Sequence, residues 1–162
     1  MILKLSFWSH FQKLWMLLIY CIIMVFLLWA FDFQQGMFLF ILVMAGVLIV
    51  PTLIVHLDHY KYCEERNIIL LDDAIKIEGK DTVVTISVSD ITCITVYMSG
   101  ARSSNLAIQS FPFENYYYCK VDTKSIGTVF LSSLFSDKLD KLLEERYKVP
   151  FVRERKYYPV IS

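Results

Sequence analysis

The chain has 162 residues, 56% of them hydrophobic and 15% aromatic, with 16 Lys and Arg balanced by 16 Asp and Glu. An apolar share of that size, above the roughly 45–50% of ordinary soluble domains, excludes a disordered chain. A formal net charge of zero excludes a nucleic-acid binder, which needs a positive field, and four cysteines are too few for a disulfide scaffold.

Residues 1–13 read as a short N-terminal segment carrying Lys4 and Lys13. Leu14 to Phe31 then contains no Lys, Arg, Asp or Glu. As a helix these residues reach about 27 Å, close to the roughly 30 Å hydrocarbon layer of a bilayer. A cleaved signal peptide would share the basic start, but its apolar core is shorter and no A-x-A-like site follows. Residues 32–36 form a connection long enough only to join antiparallel helices. Met37 to Leu57 is a second uncharged run, long enough to cross with some tilt. The pattern therefore predicts a membrane helical hairpin, with Trp8, Trp15 and Trp29 near the span ends where indoles favour the headgroup layer. Lys4 and Lys13 before the hairpin, and Lys61 and Arg66 after it, put both termini and everything downstream in the cytoplasm, with the 32–36 loop outside. Cys63, Cys93 and Cys119, kept as thiols, fit a reducing compartment. Pro51 reads either as a hinge or as an ordinary membrane proline.

From residue 58 the pattern changes to short alternating segments. TVVTISV (82–88) places Val84, Ile86 and Val88 on one face, and ITCITVYM (91–98) does the same with Ile94, Val96 and Met98. Further strands are expected over 60–65, 67–71, 74–78, 105–111, 115–122 and 127–131, separated by turn residues such as Asp72-Asp73 and Gly79-Lys80-Asp81. Phe135, Leu139, Leu142, Leu143 and Tyr147 then form one helical stripe, with Ser136 able to cap it and Pro150 beyond its end. The expected fold class is a membrane α-helical hairpin plus a mainly-β domain over 58–147. That domain is an antiparallel meander or partly open barrel closed by one C-terminal helix. Residues 148–162 follow as a basic aromatic tail.

About seven strands followed by one helix resembles the pleckstrin-homology-like (PH-like) fold. More specifically it resembles the bacterial PH-domain membrane proteins, in which a helix pair precedes such a module, a likeness that covers most of residues 58–147 and leaves 148–162 without a counterpart. The residues that carry the likeness are YCEERNIILL (62–71), Ile75 to Glu78, and VTISVSDITCITVYMSG (84–100). The resemblance implies a bacterial cytoplasmic-membrane location and no reaction. It also implies that lipid-binding members use Lys and Arg around the first β-hairpin. Here the turns taken as comparable read LLDDA and EGKDT, which are acidic or mixed.

Few residues invite chemistry. His56, His59 and Cys63 would share a helix face and suit zinc if the helix continued, but the helix is expected to end near residue 58. No phosphate-binding loop motif occurs, and no nucleophile has an orienting partner, so no enzyme activity and no cofactor are expected. The basic aromatic cluster Arg146, Lys148, Phe151, Arg153, Arg155, Lys156, Tyr157 and Tyr158 reads either as an anionic-lipid contact or as a solvated tail with its aromatics on the sheet. Tyr116 and Tyr118, with Arg102 in a polar loop nearby, read either as core or as a protein contact. The expected function is a non-enzymatic membrane protein presenting its domain to a protein partner or to further copies of itself. Sensing of membrane lipids or a small ligand through the tail is the alternative.

Overall fold

A computed structural model describes residues 1–104 and 111–161. The chain opens with a strand, β1 (Ile2–Lys4), ahead of either long helix. In α1 (Phe7–Ala30) the Ser6 hydroxyl caps the first turn by accepting from the Ser9 amide. A tight turn, with Asp32 and Phe33 at positive φ, reverses the chain into α2 (Gln35–Cys63). Then come β2 (Asn67–Leu70), β3 (Ala74–Glu78), β4 (Val83–Ser87), β5 (Ile91–Met98), a four-residue helix α3 (Gly100–Ser103), β6 (Tyr117–Thr123), β7 (Thr128–Ser132), α4 (Leu139–Arg146) and β8 (Phe151–Arg155).

The strands form two four-stranded sheets, β1-β2-β3-β4 and β7-β6-β5-β8, antiparallel throughout except that β8 runs parallel to β5. Their inner faces enclose one core, with Ile68, Leu70, Ile75 and Ile86 from one sheet and Ile94, Val96, Tyr117, Cys119, Val121 and Leu131 from the other. α4 closes it with Leu139 and Leu143. The alternation read from the sequence holds here, because Ile86, Ile94, Val96 and Met98 all point inward. All four cysteines are free.

The two long helices are an insertion in the first β-hairpin. β1 lies before α1 and β2 after α2, yet they pair in register, Ile2 with Ile69, Leu3 with Ile68 and Lys4 with Asn67. Met1 extends the ladder, its carbonyl accepting from the Leu70 amide at 2.8 Å. Both helices are long and apolar enough to cross a membrane, and only 17% and 22% of their most apolar stretches are buried within the molecule. Phe26, Trp29, Phe38, Leu42, Val43 and Ile54 are all exposed, so the helices are not the core of this domain. Pro51 lies within α2, next to Thr52, whose hydroxyl donates to the Leu48 carbonyl at 2.6 Å.

Several expected elements are displaced. The strand expected over 60–65 is the last part of α2, which does not stop near residue 58. Tertiary burial of Val55, His59 and Cys63, spaced by one helical turn, holds this stretch in a helix despite its strand-like composition. Glu65, at positive φ, then turns the chain into β2. Residues 1–13 are not a loose lead-in, because they supply β1 and the first two turns of α1. The count of seven strands before the closing helix is met by β1, not by 60–65. The strand expected over 105–111 lies outside the described residues except for Phe111, which precedes a short 3-10 turn, Pro112–Asn115. The C-terminal helix starts at Leu139, not Ser136, although Phe135 and Tyr147 at either side are buried as the stripe predicted. The tail is not free, since its middle forms β8.

Leu3 is the inward residue of β1 and is 6% exposed. Leu3→Ala is expected to cost about 2–3 kcal/mol. The check is the thermal unfolding midpoint in mild detergent, together with faster proteolysis near residues 64–66 as β1 loosens.

Candidate functional site at the junction of helices and domain

The feet of α1 and α2 meet the domain through polar side chains, and this is where the sequence's unusual residues collect. α2 turns Thr52, Val55, His59 and Cys63 inward, all 1% exposed or less. His59 is bonded at both nitrogens, Nδ1 at 2.7 Å from Ser132 Oγ and Nε2 at 2.7 Å from the Pro159 carbonyl. That carbonyl only accepts, so Nε2 carries the proton. His56, three residues earlier, edges the same Tyr116 ring as His59. Its Nδ1 is 2.7 Å from the Tyr116 hydroxyl and its Nε2 is 3.1 Å from His10 Nδ1 on α1. The three side chains form one hydrogen-bond chain linking both helices to the domain.

The helix continuation that zinc binding would need is present, but the candidate ligands do not converge. His59 spends both nitrogens on Ser132 and Pro159, and His56 spends both on His10 and Tyr116. Among the described residues no group of three or more His, Cys, Asp or Glu is placed to hold a metal ion.

A second polar cluster lies at the α1 foot. Lys13 is 3% exposed, and its ammonium donates to Asp137 Oδ1 and to the Asn115 carbonyl, both at 2.7 Å. Arg102 reaches the same aspartate, donating to Oδ1 at 3.2 Å and to the Asp137 carbonyl at 2.7 Å, while its guanidinium stacks 4.2 Å from the Tyr117 ring. Burial would raise the Asp137 carboxyl, but the Lys13 and Arg102 cations and the hydrogen bonds they donate hold it below its ordinary value of 3.8. Beside this cluster a groove of about 370 Å³ runs between Trp8, Phe11 and Trp15 of α1 and Asn115 and Asp137 of the domain.

The other sequence candidates divide. Tyr116 and Tyr118, read as a possible contact face, are 0% and 4% exposed, because the α2 foot covers that side of β6. Burial raises both phenols. Arg102 belongs to the junction instead of an outer rim. Most of the basic tail is committed inside the molecule: Arg146 pairs with Asp72 at 2.6 Å, Arg153 with Glu144 at 2.5 Å, and Lys156 donates to the Val160 carbonyl at 2.6 Å. Lys148 and Arg155 remain exposed. Phe151 is half-buried on the β5 edge. Tyr157 and Tyr158 pack on Phe113 with outer faces still open. Sequence reasoning missed Lys13, Asp137, His10 and Asp58 as structural partners. Lys13 and Asp137 are 124 residues apart, and each had a sufficient local explanation, the first as a flanking lysine and the second at a helix start.

The PH-domain family model matches residues 2–141, a span that includes both long helices. No curated protein matches the chain. The chain belongs to the PH-domain family, with its helix pair set between the first two strands.

Removing one partner of the Lys13–Asp137 pair has unequal consequences. Asp137→Ala leaves a buried ammonium without its carboxylate and is expected to cost about 2–4 kcal/mol. Lys13→Met leaves a half-exposed carboxylate still held by Arg102 and costs less, about 1 kcal/mol. Adding Lys13→Met to Asp137→Ala should therefore restore stability, which denaturation of the three variants in detergent would show. Because the folded carboxyl titrates below 3.8, its contribution is complete at neutral pH and is lost as pH falls through that lowered value. The Asp137→Ala variant should lack this acid-side loss.

Proposed function

We propose that this PH-family chain is a non-catalytic, membrane-anchored interaction module, held in one fixed pose at the bilayer surface by its inserted hairpin. The observation that carries this reading is the β1–β2 pairing, which ties the chain entering the hairpin to the chain leaving it. A tether on a flexible linker would only concentrate the domain near the membrane. Here the His10–His56–Tyr116 chain and the Lys13–Asp137 pair also fasten the helix feet to the domain. The same face of the domain is therefore always turned away from the helices, as an assembly or docking unit requires.

The insertion also bears on lipid recognition. The family resemblance places headgroup binding at the first hairpin, and in this chain the connection between β1 and β2 is the helix pair itself. LLDDA and EGKDT, taken above as the comparable turns, are the β2–β3 and β3–β4 turns. Anchorage by apolar helices replaces anchorage by a basic loop. Two indoles, Trp8 and Trp15, lie exposed on the α1 foot, and Tyr157 lies exposed against Phe113. The 112–115 turn that carries Phe113 touches both helix feet. Such a collar suits the headgroup layer. The committed partners of Arg146, Arg153 and Lys156 weigh against the alternative in which the tail senses anionic lipid. The cationic flanks Lys4, Lys61 and Arg66 support a domain on the cytoplasmic side.

The full chain is expected to stay in the membrane through an alkaline carbonate wash. A Gln34→Cys variant should react with an impermeant maleimide on intact cells, and Asp81→Cys only after permeabilisation. Release by carbonate, or the reverse labelling pattern, would defeat the reading. Mild-detergent purification should recover the chain with a stoichiometric protein or with further copies of itself. A lone monomer retaining only lipid would favour the lipid-sensing alternative.

A further inference from the structure

The C-terminal segment is built as a bound peptide. It begins beyond the family-matched region, after α4, and three residues, Lys148, Val149 and Pro150, separate Tyr147 from β8. The Pro150 carbonyl accepts from the Ile94 amide at 2.9 Å, and β8 then runs along β5 in register, Ile94 with Phe151 through Met98 with Arg155. The Lys156 amide closes this ladder on the Met98 carbonyl at 2.9 Å. From there the chain leaves the sheet and reaches the foot of α2. The Pro159 carbonyl lies 2.7 Å from His59 Nε2, the Ile161 amide donates to Asp58 Oδ2 at 2.6 Å, and the Ile161 side chain is buried.

Two features separate this segment from the other strands. Its outward residues Val152, Arg153, Glu154 and Arg155 are exposed, and it is held by the main-chain ladder, the end anchors, the Arg153–Glu144 pair and the packing of Tyr157 and Tyr158 on Phe113. Its connection to α4 is three residues long, and exchange of such a terminal element between copies is a low-cost route to dimers. The sites it occupies, the β5 edge and His59 with Asp58, are lined by residues of the family-matched part.

We propose that the β5 edge and the α2 foot form a docking site for an extended segment that ends in a Pro-x-Ile turn, and that residues 149–161 of a second copy fill it by strand exchange. The occupant follows from complementarity, because a second copy carries the one segment whose ladder register, prolyl carbonyl and buried isoleucine this site demonstrably accepts. An exchanged pair keeps every one of these bonds, so closed and exchanged forms differ only in the hinge and in the cost of bringing two copies together. The inference rests on the assembly reading above in this one respect: confinement to a membrane plane lowers that cost.

The test uses full-length chains. Tyr97 and Glu154 are register partners across β5 and β8. Two differently tagged chains, one carrying Tyr97→Cys and the other Glu154→Cys, are co-expressed and oxidised in native membranes. A disulfide-linked heterodimer about tenfold above that from either variant paired with the parent chain is the expected result. The doubly substituted chain should also cross-link internally, which shows that β8 still lies on β5. Internal cross-linking without heterodimer overturns the exchange, and so does failure of both, because β8 is then not seated in the observed register. Membrane retention of the same samples reports separately on anchorage, so loss of one conclusion is distinguishable from loss of the other.

Discussion

The pairing of a three-residue strand with a partner on the far side of two long helices is the constraint on which this structure turns. An insertion of that length between adjacent strands would ordinarily add closure entropy. The antiparallel helices remove most of that cost, because they return the chain to within a few residues of where it left. Only Leu5 and Ser6 on one side, and Glu64 to Arg66 on the other, remain to close the ladder. Burial of Leu3 and the ladder to β2 then hold β1 in place. The helices and the sheet each make the other's geometry cheaper, and neither foot of the hairpin moves without disturbing the ladder.

The choice of polar residues at the junction follows from the same constraint. Two apolar surfaces would bind, but they would slide and rotate against each other with little penalty. Hydrogen bonds between named atoms select one arrangement, and they are most selective where water is excluded. His59, Thr52 and Lys13 are nearly or fully buried and all have partners, and among the described residues no buried side-chain nitrogen or oxygen lacks one. An apolar helix therefore changes character over its final turns. Above the junction it presents Leu, Ile and Phe on every side, and at the junction it presents imidazoles in fixed orientations.

The apolar helices, the inward alternation of β4 and β5, and the stripe on α4 were legible because each is a local periodicity that burial reinforces. The helix extension through Tyr60 to Cys63 was not, because its aromatic and β-compatible composition reads as a strand until the domain surface that covers it is known. β1 was hidden for a related reason. Ile2 to Lys4 is too short to show a period, and its partner lies 65 residues and two helices away. The candidate site suffered most. His56 and His59 stood out by type and spacing, but their partners, Tyr116, Ser132 and Pro159, come from three separate later segments. Proximity in sequence suggested a shared metal, whereas in the fold both imidazoles edge the Tyr116 ring and each nitrogen is taken by a different partner.

The C-terminal segment shows how one edge can be both protected and specific. An open β5 edge would invite indiscriminate strand pairing, and β8 covers it. The edge that β8 exposes in turn carries Arg153, Glu154 and Arg155, charges that discourage further addition. A strand that matches β5 in register but lacks the terminal anchors would gain only the ladder. A segment that also delivers a carbonyl to His59, an amide to Asp58 and a buried isoleucine gains all three together. Discrimination thus resides at the α2 foot and not along the sheet. Because α2 itself is fastened to β1 and β2, seating of that segment depends on the same closure that fixes the hairpin.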